Sequence, residues 1–197
     1  GPKGQPMGSA AGKYTEVLKA QRPLLPMEDE GRLNDASLRE SFIERIYVAH
    51  RWHTLMDDGL TPGKLVDFHT RHKFLLLSHS EVEYRALGPL VANAGKLKIK
   101  ELGEQYISIL MRGMSRRATR RRHTNVLSHL LGFLRRTLNE TDRAELTQMI
   151  DEYRIGEIPL IVPIRFLKHH FSRHPDDFVS MQYYLDPYPA TLGLRNH

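Results

Sequence analysis

Apolar residues return every three or four positions along most of the chain, and nowhere do they alternate with polar ones for long, which is the pattern of amphipathic helices and not of strands. Leu38, Phe42, Ile46 and Ala49, with Ile43 and Tyr47 beside them, mark a long helix reaching residue 57, with Asn34 as its N-cap. A shorter helix over residues 13–21 precedes it and stops before Pro23. Gly59 closes the long helix. Thr61-Pro62 then restarts the chain as a cap followed by proline in the first turn, where a missing N–H costs nothing. The helix over 62–78 gives way to Ser80-Glu81-Val82-Glu83, a capping-box spacing that opens a fourth helix over 81–92. Further helices are expected over 98–112, with a break at Gly113-Met114-Ser115, and over 117–138. Another, capped by Asn139 or Thr141, ends near Gly156, and the next has Pro163 in its first turn and ends before Pro175. A last short helix over 176–184 leads into Asp186-Pro187-Tyr188-Pro189. The expected fold class is all-α, a single compact multi-helix domain of about seven to nine helices with an extended N-terminal lead.

With 197 residues and 40% hydrophobic positions, such a domain has enough interior to stand without covalent staples. The chain has no cysteine, which excludes disulfides, thiolate metal sites, cysteine-ligated clusters and thiol nucleophiles. Any metal here would be held by histidines or carboxylates. No apolar run is long enough for a membrane span or a signal-peptide core, so no membrane partner and a cytoplasmic location are expected.

Charge changes the picture more than composition does. The chain carries 29 Lys and Arg against 23 Asp and Glu, and the excess is local. No acidic residue lies between Glu104 and Glu140, whereas Arg112, Arg116, Arg117, Arg120, Arg121 and Arg122 fall within eleven positions, with Arg135 and Arg136 beyond. A contrasting acidic segment holds Glu28, Asp29, Glu30, Asp35, Glu40 and Glu44. Projected on a helix, Val126, Leu127, Leu130, Phe133, Leu134 and Leu138 form an apolar face that includes His123, and Arg121, Arg122, Asn125, His129 and Arg136 gather opposite. Guanidinium, amide and imidazole along one ridge suit phosphates and exposed base edges, because a planar fork binds phosphate bidentately and stacks on bases. A plain solvated polar face is the competing interpretation.

Asp67-Phe68-His69-Thr70-Arg71-His72-Lys73 places His69 and His72 on or beside a face that must be buried, with Arg71 and Lys73 pointing away. A His-x-x-His pair with His79, His123, His129 or a carboxylate has metal-ligand chemistry, but ordinary packing histidines are the stronger reading of this spacing. His69, His72 and His123 are carried as a possible functional cluster, and His69, His72 and His79 as the metal candidate. His169, His170 and His174 fall where a helix C-terminus favours positive charge. No phosphate loop, nucleophile elbow or paired catalytic carboxylate stands out, so no catalytic residue is assigned.

Three ordered segments together resemble a known family: residues 65–75, from Leu65-Val66-Asp67-Phe68-His69; residues 118–129, from Ala118-Thr119-Arg120-Arg121-Arg122-His123; and Tyr153-Arg154 with Ile158-Pro159-Leu160-Ile161-Val162-Pro163. The combination resembles the bacterial YbgA-like domain, a domain of unknown function, from about Asp35 to Asn196. Residues 23–35 are similar to the junction in fusion proteins where this domain follows a thiouracil desulfidase-type domain. That resemblance implies two parts, residues 1–33 as the tail of the N-terminal domain plus linker and residues 34–197 as the helical domain. It implies an accessory role: binding tRNA and presenting 4-thiouridine to the desulfidase domain in cis. The iron–sulfur cluster would belong to that domain alone, with no cofactor in this chain. Arg116, Arg117, Arg120, Arg121 and Arg122 would meet phosphate, Asn125 and His129 a base or ribose, and Arg71, Lys73, Arg135 and Arg136 would extend the footprint. Two other classes stay open, a metal-dependent enzyme built on the histidines and a protein-docking module whose arginines pair with acids elsewhere in the fold.

Overall fold

A computed structural model describes residues 13–195. The expected lead over residues 1–12 lies outside the described residues. Nine α-helices follow in order: α1 (Lys13–Gln21), α2 (Ala36–Asp57), α3 (Pro62–His79), α4 (Glu81–Ala92), α5 (Ile99–Met114), α6 (Arg120–Leu134), α7 (Glu140–Ile155), α8 (Ile161–Arg173) and α9 (Asp177–Ser180). No strand occurs among the described residues, so the all-α expectation holds.

α3 is the hub of the arrangement. It packs against α4 and α5 on one hand and α6 on the other, while α6, α7 and α8 pack on one another and α2 lies against α5. A helix with neighbours around it must be apolar around it, and α3 is buried almost continuously from Phe74 to His79. Leu65, Leu75, Leu87, Leu110, Leu127, Leu130 and Leu167 meet at its centre with no exposure. An aromatic cluster of Trp52, Phe68 and Tyr106, with centroids 5.3–6.0 Å apart, ties α2, α3 and α5 together.

Local chemistry sets most boundaries. Thr61 caps α3 through Lys64 N–H, Asn139 caps α7 through Asp142 N–H, and Gly156 ends α7 at φ +97°. Elsewhere tertiary contacts move the expected limits. Asp35, not Asn34, caps α2, accepting from the N–H groups of Ser37 and Leu38; Asn34 closes a preceding 3-10 turn on the Gly31 carbonyl. The Ser80 hydroxyl donates to the Glu83 carboxylate and makes no backbone cap, because Glu83 is also engaged by Arg112. α5 runs straight through the expected break. Gly113 is there for close approach: a Cβ would sit 2.6 Å from Leu76 Cδ1 and 3.1 Å from Glu83 Cβ. α6 is shorter at both ends than the expected 117–138, so Arg116 and Arg117 belong to the connector before it. α9 likewise covers only part of the expected 176–184.

The largest departure is the face of α2. Glu40, Ser41, Glu44, Val48, Ala49 and Trp52 point inward, Phe42 is half-buried and Ile46 is exposed. Of the apolar positions used to phase the helix, Ala49 lies in its interior, whereas Leu38, Phe42 and Ile46 flank it. Two residues of the acidic segment, Glu40 and Glu44, are among the most buried polar groups of the described residues.

Candidate functional site

Glu40 and Glu44 lie one turn apart on α2, and burial of two neighbouring carboxylates requires cations beside them. One comes from the far end of the chain. Arg195 donates from Nε to Glu40 Oε1 at 2.9 Å, from Nη2 to Glu44 Oε1 at 3.1 Å and from Nη1 to the Tyr184 carbonyl at 2.7 Å. On its other side Glu44 meets His79 at the end of α3, whose Nε2 is 2.7 Å from Glu44 Oε2 and whose Nδ1 is 2.7 Å from the Arg116 carbonyl. The ring is thus held at both nitrogens, between a carboxylate and a backbone carbonyl. Tyr188 adds a hydroxyl to Glu40 at 2.8 Å. Burial alone would raise the Glu44 carboxyl, but the His79 hydrogen bond and charge, with Arg195, hold it down at about 2. Glu40 is pushed up instead, by burial and then by the Glu44 charge, against the pull of Arg195 and Tyr188.

Beside this cluster a cavity of about 370 Å³ opens between the start of α2, the connector ahead of α6 and the end of α7. Arg117, Thr119 and Arg120 line it from the connector and the first residue of α6, with Ser37 and Glu40 from α2 and Tyr153 from α7. His123 lies at its inner wall, with Nδ1 3.0 Å from the Tyr184 hydroxyl. Arg120 donates to the Tyr153 carbonyl and stands 4.6 Å over that ring, while Arg117 Nε donates to Ser37 Oγ at 3.2 Å and a terminal nitrogen lies 3.4 Å from Asp35. Burial raises the Tyr153 phenol to about 12, so it stays a hydrogen-bond donor at neutral pH.

The arginine segment thus divides in two. Arg112 and Arg116 lie on Glu83 at 3.2 and 3.4 Å, and Arg117 and Arg120 serve the cavity wall. Arg122 reaches back to the Arg117 carbonyl. Arg121, Asn125, His129, Arg135 and Arg136 are exposed on the outer side of α6 and beyond, and none of them makes a side-chain hydrogen bond or ion pair among the described residues. Phe133, expected inside, is 41% exposed and stacks on Phe178 at 5.4 Å, leaving an aromatic surface near His129 and Phe74. Arg71 pairs with Asp67 at 2.7 Å, and Lys73 is half-exposed on the same helix.

The histidines do not converge. His69 faces the Tyr106 hydroxyl, His72 Nδ1 donates to the Phe68 carbonyl at 2.7 Å, His79 holds Glu44, and His123 faces Tyr184. Among the described residues no three His, Cys, Asp or Glu side chains are placed to share a metal. Burial depresses His69 to about 4 and His72 to about 3, so both rings are neutral. Sequence reasoning missed Arg195, Tyr184 and Tyr188 as functional groups. Glu40, Glu44, Val48 and Trp52 repeat every fourth residue, which was the available signal for the inward face of α2; nothing local marks Arg195.

No helix among the described residues is long and apolar enough to cross a membrane. No solved structure matches this chain. It is 39% identical over 158 residues to the uncharacterized protein YbgA of Escherichia coli (strain K12), an alignment covering 80% of this chain and 94% of that protein. Residues 73–189, which span α4 to α9 and part of α3, match the model of a family described as protein of unknown function (DUF1722), and the chain belongs to that family of YbgA-like proteins.

Proposed function

We propose that this domain binds RNA through the outer side of α6, holding tRNA in the cytoplasm and presenting 4-thiouridine to a separate iron–sulfur desulfidase domain. The carrying observation is that Arg121, Asn125, His129, Arg135 and Arg136 are exposed together without an internal ion pair, in a stretch that has no acidic residue. Unpaired guanidiniums release counterions on meeting phosphate, and the half-open Phe133–Phe178 stack offers a surface for an unstacked base. Arg71 and Lys73 extend the footprint on α3. The chain has no cysteine to ligate a cluster, so the sulfur chemistry resides elsewhere and this domain supplies grip and orientation.

Binding to unfractionated tRNA and to duplex DNA of similar length, each at two salt concentrations, tests this reading. Tighter binding of tRNA that weakens steeply with salt is expected. Combined Arg121→Gln, Arg135→Gln and Arg136→Gln should lower affinity and flatten the salt dependence, by about 0.7–0.9 in log–log slope for each phosphate no longer neutralised. Unchanged affinity and slope in a folded triple variant would sink the assignment.

A further inference from the structure

We propose that the cavity between α2, the connector ahead of α6 and α7 is a binding site for a terminal phosphate, the phosphomonoester end of a nucleotide or of an RNA strand. Its mouth carries two guanidiniums from positions three apart, Arg117 and Arg120, and each is already fixed on one side by the protein. Arg117 is held by Ser37 and Asp35, and Arg120 by the Tyr153 carbonyl and ring. A guanidinium has five N–H donors, so both retain donors after these contacts, in planes that are set before a ligand arrives. Little rotamer freedom is then left to lose on binding.

The hydroxyls have the same polarity. Ser37 Oγ accepts from Arg117 and Thr119 Oγ1 accepts from the Arg122 N–H at 3.4 Å, so each keeps a proton to donate. A phosphate only accepts when fully ionised, and a wall of donors matches it. The inner wall is buried: Glu40 is 4% and His123 6% exposed. Glu40 does not repel the guest as a bare carboxylate would, because Arg195 and Tyr188 already engage its Oε1 from within. A monoester is favoured over a chain phosphodiester because its additional negative charge meets Arg120 as well as Arg117, whose charge is shared with Asp35. The volume, about 370 Å³, lies at the low end for small-ligand sites, admitting a phosphate with an attached sugar and excluding a duplex.

None of these residues belongs to the exposed stripe of α6, so this site and the RNA-binding surface stand or fall separately. The test is calorimetric and NMR titration of the full chain with inorganic phosphate, adenosine 5′-monophosphate and adenosine. Phosphate and the nucleotide should bind saturably, adenosine should not, and Arg117→Gln and Arg120→Lys should each weaken binding about tenfold or more. Arg135→Gln with Arg136→Gln should leave these affinities unchanged even if tRNA binding is abolished. Arg117 lies at the surface and its substitution leaves the Tyr153 contact intact, so that variant reports on the site even if Arg120→Lys unfolds. No binding of phosphate or nucleotide, or equal binding by a folded Arg117→Gln, overturns the proposal. Short RNAs with a 5′-phosphate or a 5′-hydroxyl then separate the sources. Preference for the phosphorylated strand assigns an RNA end. Equal weak binding of both strands beside saturable nucleotide binding assigns a free nucleotide.

Discussion

Glu44 is 1% exposed and yet ionised, because His79 takes one of its oxygens and Arg195 the other. Such a cluster is stabilising only when complete, since each charge left alone would have to be carried in a medium that solvates it poorly. Arg195→Met should therefore cost about 3–5 kcal/mol in urea unfolding, because it leaves Glu40 and Glu44 facing each other without the guanidinium that bridges them. A loss under about 1 kcal/mol would show that the cluster is wetter than its geometry implies. At this scale the sequence was legible for His69, His72 and His123, which were expected on or beside buried faces and lie there at 4%, 1% and 6% exposure. It was less legible for the carboxylates. The run with Val48 and Trp52 at every fourth position hints at their face, but nothing local shows that they are paired; that depends on a partner more than a hundred residues away.

Helix starts and stops were readable where they depend on residues within one turn. Thr61, Asn139 and Gly156 act as their local chemistry requires. Gly113 was misread because glycine has two uses, and only the neighbouring helix decides between them. A Cβ at Gly113 would press on Leu76 and Glu83, whereas one at Gly132 meets nothing within 4 Å. Gly113→Ala is accordingly expected to destabilise by about 1–3 kcal/mol, the range for overpacking. Gly132→Ala, inside α6, should stabilise by up to about 1 kcal/mol through helix propensity. Thermal or urea midpoints of the two variants check the pair; equal effects would show that helix propensity and not packing governs Gly113. The arginines teach the same lesson for the site: their separation from acidic neighbours in sequence does not survive folding, which brings Glu83 to Arg112 and Arg116, and Asp35 to Arg117.

For the molecule as a whole, its buried rings and carboxylates determine how it answers to acid. His69 and His72 have folded values of about 4 and about 3, below the ordinary 6.5, so the stability they contribute is complete above pH 6.5 and is lost as pH falls through that window. Glu44, held at about 2 against 4.5, adds a second loss between pH 4.5 and 2. Glu40 is shifted the other way and partly offsets it. The melting temperature should thus be level above neutrality and begin to fall near pH 6.5, before any surface carboxylate titrates. His72→Phe should flatten the fall between pH 6.5 and about 4, and an unchanged slope would place the acid sensitivity elsewhere. The all-helical architecture around α3 was legible because apolar residues recur at helical spacing along most of the chain; the sites were not, because they are assembled from segments far apart in sequence. That separation has a consequence for biosynthesis. A ribosome delivers Glu40 and Glu44 long before it delivers Arg195, 155 positions after Glu40. While it is being made, the chain has no means of neutralising both carboxylates in a closed interior. The nascent polypeptide must therefore keep α2 hydrated and undocked until Arg195 has left the exit tunnel, so this part of the interior closes last.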